Sequence, residues 1–201
     1  MSNEDIKIFN IWSLKDVKIS DEGLVNYINL KPILVPHTSG RYEKKKFWKS
    51  KMSIVERLIN KLMTTGHRMK KHLWTSHHNT GRVSHTYKIV KDAFKIIEQK
   101  TQRNPIQVLI DAIENTAPRQ ELTFIEYGGI RHPKAVDVSP QRRVDLSLRW
   151  ITQGAYHKAV NSKISMAKAL ADEILMCVNN DSKAFAVSRK NELERQAAAS
   201  K

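Results

Sequence analysis

The chain has 201 residues, enough for one sizeable core, and sets 35 Lys and Arg against 20 Asp and Glu, a formal charge of +15. A polyanion neutralises such a surface most effectively, because each phosphate contact releases condensed counterions. With no apolar run of roughly 18 residues, no signal-type segment and no lipidation motif, the expectation is a soluble, cytoplasmic protein without a membrane partner. The single cysteine, Cys177, excludes an internal disulfide and a thiolate-rich zinc site.

In chain order, residues 1–50 show short apolar islands (Ile6, Ile8, Phe9, Ile11-Trp12, Leu24-Val25) broken by Pro32, Pro36 and Thr38-Ser39-Gly40. This reads as an extended segment laid on the body or on a partner, followed by a helical domain over 51–201. Where the two meet, Lys44, Lys45, Lys46, Lys49 and Lys51 surround Phe47 and Trp48. Basic charge with interleaved aromatics suits phosphate contact and base stacking, and a solvated linker with core aromatics is the other reading. Ser53-Ile-Val-Glu56 is a capping-box signature, and Ile54, Val55, Leu58, Ile59, Leu62 and Met63 cover one face of the helix behind it. From His67 to Arg82 the chain is rich in histidine (His67, His72, His77, His78) and in Arg68, Lys70 and Lys71. No cysteine or acidic residue accompanies those histidines and their spacing matches no zinc pattern, so a basic loop is expected and no metal.

Val83, Tyr87, Val90, Phe94 and Ile97 follow helical spacing, with Lys88, Lys91 and Lys95 as a stripe about 100° away. Asn104-Pro105 opens a further helix as N-cap and N1, and Pro118 stops it. Two alternating stretches then flank Gly128-Gly129, which supply the positive φ angles of a two-residue hairpin turn. A hairpin arm over about 119–138 follows, with Tyr127, Gly128, Gly129 and Ile130 at its tip. Whether it projects or folds back is left open, since a two-stranded ribbon is marginal alone. Ser139-Pro140 starts the next helix. Arg142 and Arg149, seven apart, share an azimuth, with Arg143 about 100° round. Guanidinium forks on a rigid helix suit bidentate phosphate recognition. Asp137 and Asp145 read as ion-pair partners that orient these arginines. A fifth helix, from about Ser162 to Val178, places Cys177 on its apolar face, and Ser188 opens a sixth through Glu194.

No glycine-rich phosphate loop, nucleophile elbow, zinc motif or kinase signature is present, which argues against an enzyme or a cofactor. The fold class is therefore mainly α: one helical domain of about six helices with a protruding two-stranded arm and an extended front segment. Charge alone also admits a sequence-specific DNA-binding regulator, which would call for a symmetric dimer and a base-reading helix. Nothing suggests a dimer seam, and no homo-oligomer is expected.

The runs Asn104-Pro-Ile-Gln-Val-Leu-Ile-Asp-Ala-Ile-Glu-Asn115, Ala117-Pro-Arg119, Ala135-Val-Asp-Val-Ser-Pro-Gln-Arg-Arg-Val144 and Leu170-Ala-Asp-Glu-Ile174 resemble the ribosomal protein S-seven family. The front segment, with Tyr27-Ile-Asn-Leu-Lys-Pro32 and Pro36-His-Thr-Ser-Gly-Arg41, is similar to its archaeal form. The resemblance implies a structural protein that binds the 3′ major domain of small-subunit ribosomal RNA and nucleates assembly of the head. It also implies neighbouring head proteins as partners, and an arm tip near the exit-site tRNA and mRNA path. Expected RNA contacts are Lys44, Lys45, Lys46, Lys49, Lys51, Arg68, Lys70, Lys71, Arg82, Arg119, Arg131, Lys134, Arg142, Arg143 and Arg149. Two departures stand out. The His67–Arg82 loop looks longer than usual, and the first arm strand carries Glu121 and Glu126, which weakens its attraction for a backbone.

Overall fold

In the computed structural model, residues 6–68, 71–72, 75 and 79–200 are described. Six α-helices lie among them: α1 (Ile54–Met63), α2 (Val83–Thr101), α3 (Pro105–Thr116), α4 (Pro140–Ala159), α5 (Met166–Val178) and α6 (Phe185–Ala198). α5 lies at the centre, touching α2, α3, α4 and α6. Its apolar stripe explains why: Ala169, Leu170, Ala171, Ile174 and Cys177 are all buried. Burial pushes the Cys177 thiol far above its ordinary value, and nearby Glu173 adds to this, so the group stays a neutral apolar filler. Gly154 lets α4 approach closely. A Cβ there would lie 2.6 Å from Glu173 Oε1 and 2.8 Å from the Phe185 Cβ. The buried Glu173 carboxylate is satisfied by Lys158 Nζ at 2.5 Å and by the Ala186 N–H at 3.3 Å.

Helix starts follow local chemistry only in part. Asn104 caps α3 by accepting from the Ile106 N–H at 3.1 Å, with Pro105 at N1, as expected. The capping box at Ser53 does not form. Ser53 makes no side-chain cap, and Glu56 instead accepts from the Thr38 N–H (2.6 Å) and Oγ1 (2.7 Å). A tertiary contact with the front segment has taken the carboxylate the local motif would have used. The fifth helix begins at Met166 behind a Ser165 cap to the Lys168 N–H, and the sixth begins at Phe185 and runs to Ala198. The expected loop after α1 contains two short strands, β1 (His67–Arg68) and β2 (Lys71–His72), paired antiparallel behind Gly66 at φ 100°. His77 and His78 lie outside the described residues.

The front segment lies on the body. Ile8, Phe9, Trp12, Leu14, Val17, Leu24 and Ile28 are buried in the same core as the helices. Phe9 meets Tyr87 edge-on at 4.6 Å between ring centroids, and Trp12 meets Phe94 at 5.7 Å, both rings belonging to α2. Three single 3-10 turns (Val25–Tyr27, Arg41–Glu43, Trp48–Lys51) carry the chain round to α1.

The arm pairs β3 (Gln120–Tyr127) with β4 (Ile130–Asp137), in register from Gln120 opposite Asp137 to Tyr127 opposite Ile130. Gly128 (φ 58°) and Gly129 (φ 78°) are both left-handed, which makes a type I′ turn. From that turn, hydrogen-bonded pairs alternate back along the ribbon. Pro133, opposite Phe124, falls at a non-hydrogen-bonded position where its missing N–H costs nothing. The ribbon neither folds back nor stands wholly free. Its base, Gln120–Thr123 with Ala135 and Val136, is half-buried with α6 packed on it, whereas Phe124, Ile125, Tyr127 and Ile130 are exposed. Tyr127 keeps 82% of its surface.

Candidate nucleic-acid interface

The basic segment 44–51, the C-terminal half of α1 and the first turns of α4 converge on an open cleft of about 400 Å³. Lys46, Lys61, Arg142 and Arg149 line it, with Phe47, Ser139, Gln141, Asp145 and Leu146. Four cations therefore face one carboxylate. Phe47 is exposed at the edge, with Lys46 Nζ 5.2 Å from its ring centroid. Behind it, Lys45 and Lys51 stand over the Trp48 ring at 4.9 and 4.5 Å.

Asp145 fastens the floor. Its Oδ1 accepts from Arg57 Nη2 and its Oδ2 from Lys49 Nζ, each at 3.1 Å. The Arg57 side chain is only 1% exposed and donates through Nη1 to the Tyr27 carbonyl at 2.9 Å. Burial pushes the Asp145 carboxyl up, but Arg57, Lys49 and Lys61 outweigh it and hold the group below the ordinary carboxylate value. Burial draws Arg57 down despite Asp145, from a starting point so high that the guanidinium stays charged. Lys61 is lowered too, first by burial, which Asp145 opposes, and further by its cationic neighbours Lys49, Arg149 and Arg57.

The three arginines of α4 differ in their surroundings. Arg149 is exposed and lines the cleft; among the described residues it has no carboxylate partner within ion-pair distance. Arg142, 54% exposed, donates through Nε (3.0 Å) and Nη2 (2.9 Å) to Glu121 Oε2 at the arm base. Arg143 turns inward. Its side chain is 11% exposed and its Nη2 lies 2.7 Å from Asp21 Oδ2, pinning the front segment to α4. Burial raises the Asp21 carboxyl, but Arg143 more than reverses this and the net position is below the ordinary value. Asp145 is an ion-pair partner as expected, but of Arg57 and Lys49, not of the α4 arginines. Asp137 accepts from Gln120 Nε2 at 3.2 Å.

The remaining candidates are dispersed. Lys44 and Lys71 are exposed outside the cleft, and Arg82 stands exposed at the start of α2. Arg119 is exposed at the arm base, where its N–H donates to Glu194 Oε1 at 2.9 Å. Arg131 sits near the arm tip, 3.6 Å from Glu126, and Lys134 further along the same strand. Lys70 and the side chain of Arg68 lie outside the described residues. Lys61 was missed from sequence. It follows Arg57 by four positions along the margin of the α1 apolar stripe, a spacing that stacks two cations on one face. Among the described residues no group of three His, Cys, Asp or Glu side chains is placed to hold a metal, and no helix is long and apolar enough to cross a membrane.

A basic helical body, a cation-lined cleft edged by an aromatic ring and a projecting two-stranded arm define a class, the helical protein built to meet a polyanion. Residues 24–201 match the family model described as ribosomal protein S7p/S5e. The chain is also 52% identical over 192 residues to the small ribosomal subunit protein uS7 of Nanoarchaeum equitans, covering 96% of this chain and 97% of that one. It is 51% identical to the uS7 of Methanosphaera stadtmanae (95% and 96% covered), and 50% identical to that of Archaeoglobus fulgidus (98% and 95%). The chain belongs to the ribosomal protein S7p/S5e family. It is a structural constituent of the small ribosomal subunit, of the archaeal type, and not an enzyme.

Proposed function

We propose that this protein binds the 3′ major domain of small-subunit ribosomal RNA through the α1–α4 cleft and nucleates assembly of the subunit head. The observation that carries the reading is the convergence of Lys46, Lys61, Arg142 and Arg149 on one cleft with Phe47 at its edge. A phosphate backbone fits the cations and an unpaired base fits the ring. Lys45 and Lys51, on the adjoining 44–51 segment, extend the positive field, and the dispersed, exposed Lys44, Lys71, Arg82 and Arg119 offer further phosphate contacts. The arm supplies little charge, because Arg142 and Arg131 face Glu121 and Glu126 on it. Its bare tip, Tyr127–Ile130, serves as a probe toward exit-site tRNA and the mRNA path, while neighbouring head proteins cover other faces.

Filter binding to a 3′-major-domain RNA fragment tests this. A protein making 6–10 phosphate contacts loses roughly 10³–10⁵ in affinity between 50 and 200 mM salt. Alanine at Lys46, Lys61 and Arg149 together should flatten that dependence by about one slope unit per residue. Affinity insensitive to salt, or unmoved by the triple variant, overturns the proposal. Tighter binding to duplex DNA would favour a DNA-binding regulator instead.

A further inference from the structure

The first arm strand places an acid, Glu121, beside a surface that has to attract phosphate. Charge counting makes Glu121 a liability, but its contacts say otherwise. Both Arg142 donors that reach it, Nε and Nη2, converge on the single oxygen Oε2, at 3.0 and 2.9 Å. The Glu121 side chain is 20% exposed, on the half-buried base of the arm where α6 packs. The guanidinium is thus held along one edge by a carboxylate whose side chain is largely covered at the arm base. A guanidinium has five N–H donors in a planar fork, so Nη1 and the second Nη2 hydrogen remain available. Arg142 also lines the cleft with Lys46, Lys61 and Arg149.

We infer that Glu121 is a positioning residue for RNA: it presents the free edge of Arg142 to a phosphate in the cleft. This rests on the cleft reading above and deepens it. A long side chain more than half exposed loses rotamer freedom when it grips a ligand, and fixing its orientation beforehand removes part of that loss. The carboxylate is joined to the arm base and the guanidinium to α4, so the same contact ties phosphate in the cleft to the seating of the arm. A bound phosphate and a seated arm then favour one another, as two partners of one guanidinium that use different edges.

The sign of one substitution decides the matter. Glu121→Gln removes a negative charge and takes the net charge from +15 to +16. If Glu121 were merely an anion near the cleft, affinity for the 3′-major-domain fragment would rise. A positioning role predicts a fall of about five- to tenfold with a salt dependence shallower by up to one contact. The double variant Glu121→Gln, Arg142→Ala should bind no more weakly than Arg142→Ala alone, because Glu121 acts through that arginine. Tighter binding by Glu121→Gln, or an undiminished effect of it in the Arg142→Ala background, overturns the inference while leaving the cleft in place. Absence of salt-dependent binding by the wild-type protein removes both.

Discussion

Replacing Asp145 by alanine is the most informative single change, because the carboxylate joins the hydrophobic core to the basic surface. It removes both the Arg57 and the Lys49 contacts, each 3.1 Å long. Breaking a fully buried pair by deleting one partner costs ~3–5 kcal/mol, since the remaining charge is stranded. Arg57 meets that condition at 1% exposure, but Asp145 is 24% exposed, so water can reach part of the vacated position. The cost is therefore about 2–3 kcal/mol. For a domain of this size that lowers Tm by roughly 4–12 °C. Thermal unfolding at pH 7 reads it. The companion variant Arg57→Met should destabilise by itself, and the double variant should fall well short of the sum, by about 1 kcal/mol or more, because neither charge is then stranded. Tm unchanged in Asp145→Ala, or strictly additive costs, would refute the claim that this pair fixes the cleft floor.

The same carboxylates set an acid limit. Asp145 and Asp21 have folded-state values below the ordinary carboxylate value, held there by Arg57 and Arg143 against the effect of burial. Their contribution is complete above the unfolded value and is lost as pH falls through the folded one. Calorimetry across pH 7 to 2.5 should therefore show this component of stability intact down to about pH 5 and eroding below about pH 4; a Tm that holds constant to pH 2.5 contradicts it. Gly154→Ala would push a methyl group against Glu173 Oε1 and the Phe185 Cβ, at 2.6 and 2.8 Å. Since the second neighbour is anchored at the backbone, overpacking should cost about 1–3 kcal/mol, measured as a lower denaturation midpoint. An unchanged midpoint would mean that α4 and α6 separate freely there.

Most of the fold could be read locally, and the exceptions share one cause. Helix faces followed 3.6-residue spacing, and Gly128-Gly129 announced the type I′ turn, because those signals need only near neighbours. Glu56 broke its capping box because Thr38, 18 residues earlier, offers it two donors. The arginines of α4 look alike in sequence, yet helical rotation separates them. Sequence expectation makes Arg143 an RNA contact, yet it shares its face with the buried Ser147, Trp150 and Gly154, an azimuth that expectation passed over, and its partner Asp21, 122 residues away, leaves no local signal. Arg57 and Asp145, 88 residues apart, pose the same difficulty: composition counts charges but does not say which cation lies over which anion. The front segment shows the limit for apolar residues. Phe9 and Trp12 sit in a stretch without periodicity, and only the rings of α2 reveal them as core.

The count of 35 Lys and Arg consequently overstates and misplaces the binding surface. Arg57 and Arg143 serve the interior, Lys158 neutralises Glu173, and Arg103 and Arg189 are matched by Asp111 and Glu192. What remains concentrated is the set that α1, α4 and the 44–51 segment bring together. Two lining residues of that cleft are held by contacts internal to the chain, Asp145 by Lys49 and Arg142 by Glu121, and Thr38 on Glu56 ties the front segment to the start of α1. Losing the front segment would therefore do more than remove lysines. It would expose the α2 face covered by Phe9 and Trp12, free Glu56 and Arg143 from their partners, and unfasten one side of the cleft. The cation-lined cleft is a product of the fold, with the front segment as a structural part of it.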